Sequence, residues 1–176
     1  MHLDLELPTD KCGLYIEIER QISSLMDPDL PLISNLSNAA SLLFFGISSN
    51  IKSINWLGFY LVSNNPDWLI LGPFQGKVAC TKIQVSKGVV GSCVAQQEAI
   101  VVPDVSKFKG HIQCDSNTQS EIVIPIFINT SGGKRIVGVL DIDSVGLDSF
   151  DSLDRDGLVA CISTLSASLE HQWLYY

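Results

Sequence analysis

Positive charge is scarce in this chain and nowhere concentrated. Its 176 residues carry 11 Lys+Arg against 19 Asp+Glu, a formal net charge of −8. A phosphate backbone or an anionic membrane surface would repel it, which excludes the ordinary nucleic-acid and membrane-surface roles. Unbroken apolar runs long enough to cross a bilayer are missing. The opening stretch Met1-His2-Leu3-Asp4-Leu5-Glu6 alternates apolar and acidic side chains, without the basic and long apolar regions of a secretory leader. The cytoplasm, with the nucleus as the other reducing compartment, is therefore the expected location. The 5 cysteines form an odd set without a CxxC pair, which argues against both a zinc ribbon and a secreted disulfide framework. Internal repeats and low-complexity segments are absent. What remains is 46% hydrophobic content, ample for the core of one domain spanning 1–176.

Apolar spacing organises that domain. Leu14, Ile18, Ile22 and Leu25 form one stripe of an amphipathic helix over 11–26, capped by Thr9 or Asp10. A second helix is expected over 33–45, with Leu36, Ala39, Ala40, Leu43 and Phe44 inward and Gly46 near its end. From Ile54 the period changes to two. Trp56, Gly58, Tyr60 and Val62 share one face of a strand, and Leu57, Phe59 and Leu61 the other. A polar turn leads to a strand from Trp68 to Leu71, and Gly72-Pro73-Phe74-Gln75-Gly76 should break the chain before a strand over 77–83. A short helix over 93–97, a strand over 99–102 and a long loop from Pro103 to Ser120 follow. The sheet resumes with 121–128, turns at 129–133 and returns through 135–143. Asp151 or Ser152 caps a last helix with Leu153, Leu158, Cys161, Ile162, Leu165 and Leu169 inward. The order gives an α+β fold: N-terminal helices over 1–53, sheet and site over 54–144, and a C-terminal helix over 145–176. It resembles a single PAS/GAF-like domain, an antiparallel sheet flanked by N- and C-terminal helices.

Chemistry gathers around Cys114. It sits among polar turn formers in the stretch Gly110–Glu121, directly before the apolar run Ile122–Ile128, a loop held by a rigid strand. Cys80 lies on or next to a strand. Cys93 opens the short helix, where free N–H groups would favour its thiolate. Cys12 and Cys161 read as small buried hydrophobes. Asp141 and Asp143, two apart on a strand, share a face. If they and Glu121 meet Cys114 in one pocket, crowded like charges raise one another's pKa and keep at least one acid protonated. A thiol beside a proton donor suits sulfoxide reduction, in which oxygen passes to the enzyme as a sulfenic acid and a second thiol closes a disulfide that an external thiol resets. Other readings of the same residues remain. The aspartates could form a solvated strand end or a helix cap. The three carboxylates could hold Ca²⁺ or Mg²⁺, though no EF-hand loop accompanies them. Cys80, Cys93, His111 and Cys114 could form a zinc site of unfamiliar spacing, and His111 could pair with Cys114 as a nucleophile dyad.

Several longer motifs occur together and in order: Asn55-Trp56-Leu57-Gly58-Phe59-Tyr60, Leu71 to Cys80, Gly110-His111-Ile112-Gln113-Cys114-Asp115, Ser120-Glu121-Ile122-Val123 and Gly138 to Ser144. The region from Asn55 to Ser144 thereby resembles the free methionine-(R)-sulfoxide reductases, which are GAF-domain oxidoreductases. The resemblance implies that Cys114 attacks the sulfoxide and Cys80 closes the disulfide. It implies that Trp56 and Tyr60 wall the methionine side chain, and that Glu121, Asp141 and Asp143 surround the substrate's polar groups. It further implies recycling by thioredoxin, no metal or organic cofactor, and frequent homodimers. One position departs: the family carries a third cysteine where this chain has Val90, and Cys93 is the candidate auxiliary cysteine. A GAF-type sensor that binds a small molecule without altering it is the rival reading. Val90 favours that rival, whereas Cys80, Cys114 and the three acids favour the enzyme.

Overall fold

Asp10, not Thr9, starts the first helix, its carboxylate accepting from the Gly13 N–H at 2.8 Å. The structure is a computed structural model describing residues 7–173. The stretch Met1–Glu6 that bears on a secretory leader lies outside the described residues. Helices α1 (Lys11–Leu25) and α2 (Leu32–Asn50) lead into strands β1 (Ile54–Val62), β2 (Trp68–Gly76) and β3 (Lys82–Gln84). Helix α3 (Gly88–Gln96), β4 (Ile100–Val102) and a 3₁₀ turn at Val105–Lys107 follow, and then β5 (Ser120–Thr130), β6 (Gly133–Ser144), α4 (Ser152–Ser168) and α5 (Glu170–Trp173). The strands form one antiparallel sheet in the order β3-β2-β1-β6-β5-β4, the expected α+β architecture.

The period-two alternation sorts the sheet into two faces. Leu57, Phe59 and Leu61 of β1, Ile122, Ile124, Ile126 and Ile128 of β5, and Leu140 and Ile142 of β6 pack with α1, α2 and α4 in the main core. The opposite face carries Trp56, Tyr60, Val123 and Val139, covered by Val89, Val90, Cys93 and Val94 of α3 in a second cluster. Pro125 is tolerated within β5 because β4 pairs only with Glu121, Ile122 and Val123, leaving β5 an edge beyond them. Helix α2 is long and apolar enough, by length and composition, to cross a membrane. Here Leu36, Ala39, Ala40, Leu43 and Ile47 spend that apolar character on the core.

Some expectations need correcting. Helix α2 runs on through Gly46, which is glycine because a Cβ there would press on Ile18 of α1 at 2.9 Å. Leu25 and Leu153 sit at helix ends and are exposed, and Cys12 is exposed on α1 rather than buried. Strand β2 continues through Gly72 and Pro73 to Gly76, because a bulge sets those two residues opposite Phe59 alone. Beyond Gly76 the chain runs as a loop, so the third strand shortens to Lys82–Gln84 and Cys80 precedes it.

The N- and C-terminal helices are joined by charge and shape. Asp151 and Asp154 form a capping box at the start of α4. The buried Asp154 accepts from Lys11 Nζ at 2.6 Å and from the Tyr15 hydroxyl at 2.9 Å. The Tyr15 side chain packs against α4 at Gly157, where any Cβ would fall on its atoms. Gly157→Ala should therefore lower Tm by roughly 3–8 °C, read by thermal unfolding, since overpacking at one site costs on the order of 1–3 kcal/mol. An unchanged Tm would show that Tyr15 does not set the α1–α4 spacing.

Candidate active site

Strand register alone brings the three acids together. Glu121 of β5 stands opposite Asp143 of β6, while Asp141 stands opposite Val123 on one side and Gly58 of β1 on the other. One oxygen from each of Glu121, Asp141 and Asp143 falls within 4.8 Å of the others. Glu121 and Asp141 are only 5% and 6% exposed, so two carboxyl groups are withdrawn from water with few partners. The carboxyl of Asp141 is held well above its ordinary range, first by burial and then by Glu121 and Asp143. Asp143 is raised by burial, then by Glu121 and Asp115. Crowding of like charge alone was the expected cause; loss of solvent is the larger one. Outside the strands, His111 Nε2 approaches Glu121 at 3.4 Å.

Trp56 and Tyr60 wall this pocket. They stack at 5.9 Å, and Trp56 stacks on Phe74 at 5.5 Å. Gly58 serves that stacking. A side chain on it would collide with the tip of the Trp56 ring and with Phe74, so the space beside Gly58 belongs to protein rings. Both aromatic residues also hold the loop that carries Cys80. Trp56 Nε1 donates to the Lys77 carbonyl at 3.0 Å and the Tyr60 hydroxyl to the Cys80 carbonyl at 3.0 Å. Spacing gave no sign of this second task, because the acceptors are backbone atoms of another segment.

Cys114 meets Cys80 in a disulfide with the Cα atoms 5.7 Å apart, within the usual range for a bridge. Cys114 is exposed and Cys80 half-buried. The Cys114 loop is fixed next door. Asp115 accepts from the Asn117 N–H at 3.0 Å and from Asn55 Nδ2 at 3.3 Å, and Lys77 Nζ stands 3.8 Å away. These contacts lower the Asp115 pKa, the Asn117 N–H most. Beneath the disulfide, Cys114, His111, Ile112, Thr118, Val90 and the three acids border one cavity of about 30 Å³. That volume suits a water molecule, not an amino acid.

Cys93 stands elsewhere. Helix α3 begins at Gly88, so Cys93 lies in its middle, fully buried, with its thiol 3.8 Å from the Val123 carbonyl. Burial, then Asp141 and Glu121, push its thiol pKa up, the reverse of the activation expected at a helix start. Cys161 is buried as expected, and its thiol is pushed up to about 12 by burial. With Cys80 and Cys114 bridged and Cys93 outside the cavity, the geometry does not assemble the zinc set of Cys80, Cys93, His111 and Cys114. Ile112, Lys77 and Thr118 also border the cavity and were not legible as site residues, since nothing in a polar loop marks which side chains turn inward.

The GAF domain family matches residues 7–169. A free methionine-R-sulfoxide reductase of Saccharomyces cerevisiae is 46% identical over 158 residues, covering 89% of this chain and 86% of that protein. The Escherichia coli protein of the same name is 38% identical over 160 residues, covering 91% of each. Among solved structures, the free methionine-R-sulfoxide reductase from Neisseria meningitidis in complex with its substrate superposes with a TM-score of 0.87 at 37% identity, covering 100% of both chains.

The raised carboxyl of Asp141 makes stability depend on pH. Folded Asp141 keeps its proton where the unfolded chain, at its ordinary 3.8, has released it. Stability therefore falls as pH rises from that value through the raised one. Asp141→Asn removes this loss. Its Tm gain over wild type should be larger at about pH 8 than at about pH 4, by thermal unfolding at both; an equal difference would contradict the assignment.

Proposed function

Since this chain belongs to the GAF domain family and, within it, to the free methionine-R-sulfoxide reductases, we propose that it reduces free methionine-(R)-sulfoxide, with Cys114 attacking and Cys80 resolving. The observation that carries the assignment of residues is the Cys80–Cys114 bridge over the three-acid pocket. Cys114 is the better attacking thiol because it is the more exposed of the two. Its sulfur bonds to the substrate sulfur while a neighbouring carboxyl protonates the sulfoxide oxygen. Oxygen then passes to Cys114 as a sulfenic acid and methionine leaves. Cys80 displaces that oxygen as water, closing the disulfide. A dithiol such as thioredoxin takes the oxidation over and returns both thiols to the reduced state.

Each element of the pocket has a task in this cycle. Asp141 and Asp143, whose pKa values are raised by burial and by Glu121, are placed to give up the proton, the resulting carboxylate being reprotonated before the next turnover. The stacked rings of Trp56 and Tyr60 offer an apolar surface for the thioether arm. No organic cofactor or metal is needed, because sulfur carries the electrons. The small cavity beneath the bridge fits the end of a turnover, and reduction of the bridge frees the Cys114 loop to admit the next substrate. Val90 lines the cavity at the position where the resemblance implies a third cysteine, and the Cys80–Cys114 pair forms without it.

A thioredoxin-coupled assay on free L-methionine-(R)-sulfoxide tests this. Cys114→Ser should lose activity by at least about 100-fold. Cys80→Ser should release one methionine per chain and then stall, and Cys93→Ala should stay within about 3-fold of wild type. Peptide-bound sulfoxide should be a poor substrate. Inactive wild-type protein, or loss of activity in Cys93→Ala with Cys114→Ser unaffected, would overturn the assignment.

A further inference from the structure

Thr118 is a buried polar residue of the pocket without a place in the scheme above. It is 7% exposed, and its hydroxyl oxygen has no hydrogen-bond partner within the protein. Among the described residues only Thr118 Oγ1 and Asp141 Oδ1 are both buried without a partner and borne by residues lining this cavity. Leaving such atoms unpaired is unfavourable for the folded chain, and a site built around a ligand is where the ligand supplies the missing bond.

The chemistry of the two atoms differs. A carboxyl group can donate only while it is protonated, but a hydroxyl donates in every state. A sulfoxide oxygen accepts hydrogen bonds and has none to give. Thr118 belongs to the Cys114 loop, tied back by its N–H donating to the Asp115 carbonyl at 3.3 Å. Cys114 must touch the substrate sulfur, and the sulfoxide oxygen is bonded to that sulfur. We propose that the Thr118 hydroxyl donates a hydrogen bond to the sulfoxide oxygen, making Thr118 a substrate-positioning residue that distinguishes sulfoxide from thioether. This rests on the reading of the pocket as a methionine sulfoxide site. It accounts for a loop that turns a hydroxyl inward among carboxylates: the substrate is held by its oxygen before proton transfer, and the product, lacking that oxygen, is released.

The test uses full-length Cys114→Ser, which binds without reacting, and titrates it by calorimetry with L-methionine-(R)-sulfoxide and with L-methionine. Adding Thr118→Val keeps the side chain's shape and removes the hydroxyl. Sulfoxide affinity should fall by about 10-fold while methionine affinity changes by less than about 2-fold. Thr118→Ser should recover sulfoxide binding, and Tm should be unchanged or higher in Thr118→Val, since an unpaired hydroxyl has been replaced by a methyl group. Equal losses for both compounds, or none, would overturn the role of Thr118 while leaving the pocket reading standing. Failure of Cys114→Ser to bind either compound would sink that reading and this inference together.

Discussion

Three carboxyl groups on neighbouring strands meet in one pocket, and burial raises the cost of charge on Asp141 and Asp143. That constraint governs the site. Cross-strand register places Glu121 against Asp143 and Asp141 two pairs further along, on the same face, and like charges so placed oppose sheet formation. The sheet tolerates them because its other face buries a continuous set of Leu, Ile and Phe side chains against three helices. Burial and the neighbouring acids raise the pKa of Asp141 and Asp143. A carboxyl that keeps its proton to higher pH is the group that the proposed oxygen transfer uses.

The aromatic wall links this acid cluster to the redox pair. Trp56 and Tyr60 lie over the acids on the same face of β1, and their polar tips hold the backbone at Lys77 and Cys80. A change in either ring would disturb the pocket wall and the backbone that positions Cys80 together. On the other side of the cavity, Asp115 is fixed by Asn55, Lys77 and its own turn. Each cysteine is thus carried by a loop anchored on β1, the strand between β2 and β6, which lets segments distant in sequence meet at bonding distance.

Much of this was legible in the sequence where period two is clean. Alternation along β1 placed Trp56 and Tyr60 on one face and Leu57, Phe59 and Leu61 on the other, and along β6 it put Asp141 on one face with Asp143. The motifs around Cys80 and Cys114 carried the resemblance that paired them. What failed depended on distant contacts. Gly46 reads as a helix end until Ile18 is seen pressed against it, and Pro73 reads as a break until the bulge opposite Phe59 is known. Helix α3 begins several residues early because Gly88-Val89-Val90 is buried against the sheet, a tertiary preference that outweighs weak helix propensity. Starting the helix late placed Cys93 at its end and gave it an activation it lacks. Thr118 had no local signature.

The central claim is that Cys114 and Cys80 alone carry the electrons to the sulfoxide. Reduced protein mixed with one equivalent of free L-methionine-(R)-sulfoxide and mapped by mass spectrometry after digestion tests it most directly. The account requires one methionine formed per chain, a Cys80–Cys114 bridge, and Cys12, Cys93 and Cys161 still reduced. Methionine formed with the bridge running to Cys93, or Cys80 and Cys114 both left as thiols, would contradict it.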